Sequence, residues 1–197
     1  MADPAHFTET HDREFGRWLY RATENLVIEE TPRLLETVTS LSLAMDHHAA
    51  IAILLQHGLT ASAAALLGVQ FETMVRGMWL AHVANDTDFE RNCEVKAHDL
   101  HALIGAITTK CRKTGELLDK LHRASGVISK NYAHAQAEAV EVWLRDIAIE
   151  QKVDSQAQQA VRESAEVMAV IAGLQLAKCA GRDDVCRVLA KRIGVEL

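Results

Sequence analysis

The sequence contains few of the residues that interrupt or replace helices. Of its 197 residues only two are proline and 5% are aromatic, and the β-branched residues are scattered instead of falling in alternating runs. Strands need such runs, so strand-rich folds are excluded. Nearly half of the chain is hydrophobic and alanine is the commonest residue. The composition therefore predicts an all-α protein with a substantial core.

An excess of positive charge is also absent. The formal net charge is -6 at pH 7, whereas non-specific binding to nucleic acid depends on cationic side chains that displace counterions from phosphates. Stable coating of DNA is therefore excluded, and any contact with RNA has to be local. The P-loop, GxGxxG and GxSxG motifs are missing as well, which removes the common NTPase, Rossmann and hydrolase folds.

Cysteines are few and long apolar runs are missing. The four cysteines, Cys93, Cys111, Cys179 and Cys186, form no CxxC pair, and the first residues are polar and acidic, unlike a signal peptide. No apolar stretch reaches the roughly 20 residues that cross a bilayer. The expected location is the cytoplasm, with no membrane partner.

Apolar positions recur every three or four residues along most of the chain. A single domain over 1–197 is expected, with a core antiparallel bundle over about 34–178. Residues 61–83 are apolar nearly all round, which predicts a central buried helix. The predicted helices cover about 10–30, 32–57, 61–83, 96–110, 115–129, 134–149, 155–179 and 184–193.

The central helix carries a carboxylate and a guanidinium one turn apart, at Glu72 and Arg76. At about 100° per residue both share a face with Trp79. The pair is predicted to lie in the interior, so removing either charge should cost about 3 kcal/mol or more. Two interpretations remain open: a buried salt bridge that fixes helix packing, or a polar pocket in which Arg76 holds an anion.

A second polar group follows some fifty residues later, at Asn131-Tyr132-Ala133-His134. These residues are predicted to form a turn at a helix N-terminus, where free amides favour an anion. The preceding segment 110–130 contains six Lys or Arg residues, and a phosphate-bearing partner fits it. The alternative is an ordinary turn beside a solvated basic helix.

Together, Glu72-x-x-x-Arg76-x-x-Trp79 and Asn131-Tyr132-x-His134 resemble uncharacterised bacterial helical families related to the HEPN superfamily (higher eukaryote and prokaryote nucleotide-binding domains), over roughly residues 45–178. The resemblance implies a homodimeric, metal-independent ribonuclease of a toxin or phage-defence type, with no cofactor. It implies His134 as general base for a ribose 2′-hydroxyl and Arg76 as stabiliser of the phosphate's charge. The resemblance also implies residues that bind the substrate or support the catalytic pair, namely Glu72, Asn131, Tyr132 and Trp79.

The sequence departs from the contiguous Arg-x4-6-His motif of that superfamily. His82 satisfies the spacing from Arg76, but Gly77 replaces the usual polar residue, and six positions place His82 about 120° around the helix from Arg76. His134 is therefore the predicted partner. A non-catalytic interaction or scaffold module of the same fold is the alternative.

A metal-binding bundle is the second alternative. Glu94, His98 and His101 are spaced so that carboxylate and imidazole ligands share a helix face. Further ligands are not obvious, so these three are lesser candidates. The adjacent His47 and His48 face two sides of their helix and are predicted to lie on the surface.

Overall fold

Seven helices and no strand are found in the part of the chain that the computed structural model describes, namely residues 4–86, 89, 99–142 and 150–194. Side chains are described within 11–86, 89, 99–126, 128 and 155–194. The all-α prediction is confirmed. The helices are α1 (Pro4–Thr23), α2 (Pro32–Gln56), α3 (Thr60–His82), α4 (Leu100–Lys110), α5 (Arg112–Val142), α6 (Glu150–Cys179) and α7 (Asp183–Arg192).

Both ends of α2 carry residues that are typical of helix ends. The Thr31 hydroxyl accepts a hydrogen bond from the Leu34 amide at 3.2 Å, and Pro32 occupies the first turn, where its missing N–H costs nothing. At the other end Gly58 has φ 69°, a left-handed conformation that glycine adopts without steric cost. The Leu59 amide then donates to the Leu54 carbonyl at 2.8 Å. The tight turn makes α2 and α3 neighbours.

Helix α3 is central, as predicted, because α2, α4, α5 and α6 all pack against it. Leu67, Phe71 and Met74 are fully buried in the main core cluster. One side of the helix nevertheless faces solvent, where Val69 and Glu72 are exposed. The nearly uniform apolar character of 61–83 therefore does not mean that every side of α3 is covered by another helix.

Gly77 marks the close approach of α2 to α3. A Cβ atom at this position would lie only 2.6 Å from Leu41 Cγ, and Leu41 is fully buried. A glycine at this point thus has a packing role, because any larger side chain would overpack the α2–α3 contact.

Two of the predicted helix boundaries are wrong. Helix α1 ends at Thr23, not near residue 30. Helix α5 runs without a break from Arg112 to Val142, so residues 131–134 lie inside a helix and form no turn. Segment 127–142 has neither glycine nor proline and is rich in alanine, so the modest helix propensity of Asn131 is not enough to stop the helix.

A second hydrophobic cluster joins α1, α6 and α7. Phe15 and Leu19 of α1 pack with Val170 and Leu174 of α6 and with Leu189 of α7. Helix α6 ends at Cys179, the predicted position, and Gly181 follows with a φ of 65°. Because α6 also contributes to the main cluster, it connects α1 and α7 to the rest of the bundle.

Among the described residues, α2 is the one helix that is long and apolar enough to cross a membrane by length and composition alone. Of the most apolar 18-residue window of α2, 33% is buried in the fold. Helix α2 packs along α3 and α6. The same properties are found in core helices of bundles.

Candidate functional site

The Glu72–Arg76 face of α3 is accessible to solvent. Arg76 Nη2 lies 3.7 Å from Glu72 Oε1, and the two side chains are 28% and 54% exposed. Trp79, one turn further along the same face, is partly buried and packs against the main core cluster. The prediction that this pair is held in the interior is wrong. Arg76 therefore presents a positive charge at the surface.

This exposure reverses the expected effect of mutating the pair. An exposed i,i+4 ion pair contributes only about 0.3–0.5 kcal/mol. We expect Glu72→Ala and Arg76→Ala each to lower the free energy of unfolding by less than about 1 kcal/mol. Urea denaturation followed by circular dichroism measures this. A loss near 3 kcal/mol in either variant would show that the two charges are desolvated.

The predicted partners of Arg76 all lie on α5. Asn131, Tyr132 and His134 are within its helical backbone, and their side chains are outside the described residues. Since α5 continues through them, they offer no helix N-terminus to an anion. Helix α5 does pack along α3, where the His122 ring stacks on Phe71 with 5.4 Å between ring centroids.

The basic segment at the start of α5 is partly neutralised within itself. Arg112 Nε donates to Glu116 Oε1 at 2.9 Å, and Arg123 pairs with Asp119. Thr114 lies in the first turn of α5. Its hydroxyl donates to Cys111 Sγ at 3.1 Å, which lowers the pKa of that thiol below its usual range. In the described region the exposed lysines of this segment form no ion pair: Lys110, Lys113 and Lys120.

Of the lesser metal candidates, only His101 is described, because Glu94 and His98 lie outside the described residues. His101 is exposed, and its ring meets the His122 ring edge-on, with 5.2 Å between centroids. Among the side chains that the structure describes, no third His, Cys, Asp or Glu joins them to form a possible metal site.

A buried ion pair, which was not predicted from the sequence, joins α1 to α6. Arg162 Nε donates to Asp12 Oδ1 at 2.8 Å, and the two side chains are only 8% and 3% exposed. Beside it, His11 Nε2 lies 2.8 Å from Glu166 Oε1. These contacts link residues about 150 positions apart and fix α1 on the bundle.

His48 belongs to the same region and is buried, so its predicted surface position is wrong. Its ring lies 4.9 Å from the Phe15 ring of α1, centroid to centroid. Burial lowers the pKa of His48 to about 4, although the Asp12 carboxylate acts in the opposite direction. The imidazole is therefore neutral at pH 7. Nothing in the local sequence distinguishes His48 from the adjacent His47, so the burial of His48 could not be predicted from the sequence.

Two further polar contacts connect α3 to α6. Gln70, which is fully buried, donates from Nε2 to the Ala165 carbonyl at 2.9 Å. His82 Nε2 lies 2.6 Å from Gln175 Oε1, so His82 is engaged with α6, as its angular separation from Arg76 suggests. Both contacts fix the orientation of α3 in the bundle.

No curated protein and no solved structure matches the sequence. A family model described as a family of unknown function, DUF6988, matches residues 41–193. The match begins within α2 and includes every helix from α3 to α7, so Arg76 and Arg162 lie inside it and Asp12 outside. The match covers most of the chain, and the chain therefore belongs to the DUF6988 family.

Proposed function

We propose that this chain is an HEPN-like, RNA-binding helical protein of a bacterial toxin or phage-defence type, and that Arg76 holds a phosphate of the bound RNA. The observation that supports it best is that the Arg76 side chain, on the central helix, is partly open to solvent, at 28% exposed. At 3.7 Å from Glu72 this arginine has no close hydrogen bond to its carboxylate. It can therefore donate two parallel N–H groups to a phosphate.

The neighbouring helix supplies further positive charge. Lys113 and Lys120 are exposed near the start of α5, which packs along α3. In a chain of net charge -6 these exposed lysines support local binding that weakens as salt is raised. The proposed RNA site consists of the Arg76 face and this part of α5.

The catalytic form of the proposal is metal-independent cleavage of RNA, with His134 as general base. His134 would take the proton of a ribose 2′-hydroxyl, the 2′ oxygen would bond to the adjacent phosphorus, and the bond to the 5′ oxygen would break. A 2′,3′-cyclic phosphate and a 5′-hydroxyl result, the latter protonated from solvent. Arg76 would stabilise the charge that develops on the phosphate.

Incubating the purified protein with labelled single-stranded RNA in EDTA tests both forms. We expect binding that weakens at least about tenfold in Arg76→Ala, since a charge-assisted contact contributes about 1.5–3 kcal/mol. Arg187→Ala, an exposed arginine on α7, serves as the matched control. Cleavage lost in His134→Ala supports the ribonuclease form, and binding with intact RNA removes only that form. RNA that does not bind, or binds Arg76→Ala and wild type equally, overturns the proposal.

A cytoplasmic homodimer is part of the same proposal. Helix α2 exposes three large apolar side chains, at Leu35, Leu43 and Ile53, and an interface with a second copy would remove them from water. A molar mass of a single chain in light scattering at micromolar concentration would contradict the dimer.

A further inference from the structure

A groove runs between α1 and α7 on the surface of the second hydrophobic cluster. It consists of two recesses that share Arg21, Ala22 and Val188. The larger has a volume of about 460 Å³ and the smaller about 260 Å³. The α1 residues that line the larger recess are spaced at i, i+3, i+4, i+7 and i+8, so the groove follows one face of the helix: Glu14, Arg17, Trp18, Arg21 and Ala22.

The lining of this α1–α7 groove is largely apolar. Trp18, Ala22 and Leu26 line it from the α1 side, and Val185 and Val188 from α7. Val188 is 52% exposed, although it lies in the middle of a helix that packs on the core. A partner that covers the groove would remove this apolar surface from water.

Arginines outnumber acids among the residues that line the groove. The charged side chains that line the two recesses are three arginines and two acids: Arg17, Arg21 and Arg182 against Glu14 and Asp184. The rest of the chain is acidic, because the whole carries a net charge of -6.

Arg17 and Arg21 carry the least compensated charge in the groove. They lie one turn apart on α1, where like charges at i,i+4 repel each other, and no ion pair is found for either within the described residues. Arg182, in contrast, donates two hydrogen bonds to Asp184, at 2.8 and 2.7 Å. A carboxylate placed between Arg17 and Arg21 would relieve their repulsion.

We propose that the α1–α7 groove binds an amphipathic helix of a partner protein, with apolar side chains along one stripe and acidic residues beside it. The elongated apolar floor fits a helix laid lengthwise, and the arginines fit its acidic flank. Tryptophan and arginine are also the residues that contribute most at protein interfaces. Single-stranded RNA fits less well, because the Arg192 guanidinium already lies over the Trp18 ring, 5.7 Å from its centroid, where a base would stack.

This inference is independent of the proposed RNA site. None of the groove residues belongs to α3 or α5, and the α1 half of the groove lies outside the residues that match the family. One site can therefore fail without the other.

The test uses the full chain and a fluorescein-labelled synthetic helix of about four turns, with a leucine stripe flanked by glutamates, in anisotropy titrations. We expect the acidic peptide to bind, with affinity that falls as salt rises, and its lysine-flanked counterpart to bind at least about tenfold more weakly. Arg17→Glu/Arg21→Glu should weaken the acidic peptide by at least about tenfold. Arg187→Glu, which removes an exposed arginine of α7 outside the groove lining, should leave it within about twofold.

Because the exchanged side chains are exposed, a matching far-ultraviolet spectrum shows that each variant is folded. As a second variant, Val188→Ser alters the floor without a change of charge and should also weaken binding. The proposal is overturned if the acidic peptide does not bind, if both peptides bind equally, or if the double arginine variant binds as wild type does. Displacement of the acidic peptide by a short single-stranded RNA at equal concentration would assign the groove to nucleic acid instead.

Discussion

Replacing Arg162 with methionine lowers the free energy of unfolding by about 3 kcal/mol, because it leaves the Asp12 carboxylate buried without a counter-charge. Asp12 is 3% exposed and receives its hydrogen bond from Arg162 at 2.8 Å. The loss is limited by the free energy that holds α1 on the bundle, since undocking α1 returns Asp12 to water. We therefore expect α1 to detach in this variant before the remaining helices unfold.

Two measurements separate these events. Urea denaturation gives the global change, and hydrogen exchange of the α1 amides reports local detachment. Asp12→Leu/Arg162→Met replaces both charges by apolar groups and should recover most of the loss. Arg112→Met removes an arginine that is 86% exposed in its ion pair with Glu116 and should cost less than about 1 kcal/mol. Wild-type protection of α1 in Arg162→Met would mean that the Asp12 carboxylate is hydrated.

The parts of the fold that the sequence predicted are those set by local chemistry. Thr31 and Pro32 start α2, and His57 and Gly58 end it, because capping and a positive φ depend only on nearby residues. Gly181 ends α6 for the same reason. The turn predicted at Asn131 was wrong because polar residues alone do not break a helix that alanines favour.

Burial was harder to predict than helical phase. The periodicity correctly places Glu72 and Arg76 on one face of α3, but it does not say whether another helix covers that face. The apolar composition of 61–83 suggested an interior, whereas Val69 is exposed and the ion pair is accessible to solvent. Which side of a central helix remains open depends on how its neighbours are arranged in space, and no local pattern records that.

The buried polar cluster depends on contacts between distant parts of the chain. Asp12 lies in the run His11-Asp12-Arg13-Glu14, which is typical of a solvated surface. Its partner is 150 residues away on α6. Nothing near Arg162 distinguishes it from the exposed arginines of other helices, so only the tertiary structure identifies the pair.

The buried imidazole next to this pair makes the protein sensitive to mild acid. The pKa of His48 is lowered from 6.5 to about 4, chiefly because burial removes water from the protonated ring, with the Asp12 carboxylate opposing this. Between these two pH values the unfolded chain binds more protons than the folded one. The contribution of His48 therefore lowers the free energy of unfolding as the pH falls from 6.5 towards 4. Above pH 6.5 this contribution is constant. The difference corresponds to about 3 kcal/mol.

Carboxylates begin to titrate in the same pH range. The effect of His48 is therefore measured as the difference in stability between the wild type and a variant that lacks this histidine. His48→Leu keeps an apolar contact with Phe15 and has no titrating group. We expect the wild type to lose about 2–3 kcal/mol more than His48→Leu between pH 7 and pH 4.5, measured by urea denaturation at each pH. Because the His48 ring packs on Phe15 of α1, the α1 amides should lose protection first as the pH falls. Parallel stability curves for the two proteins would mean that the folded state accommodates a protonated His48, with water reaching the ring beneath α1.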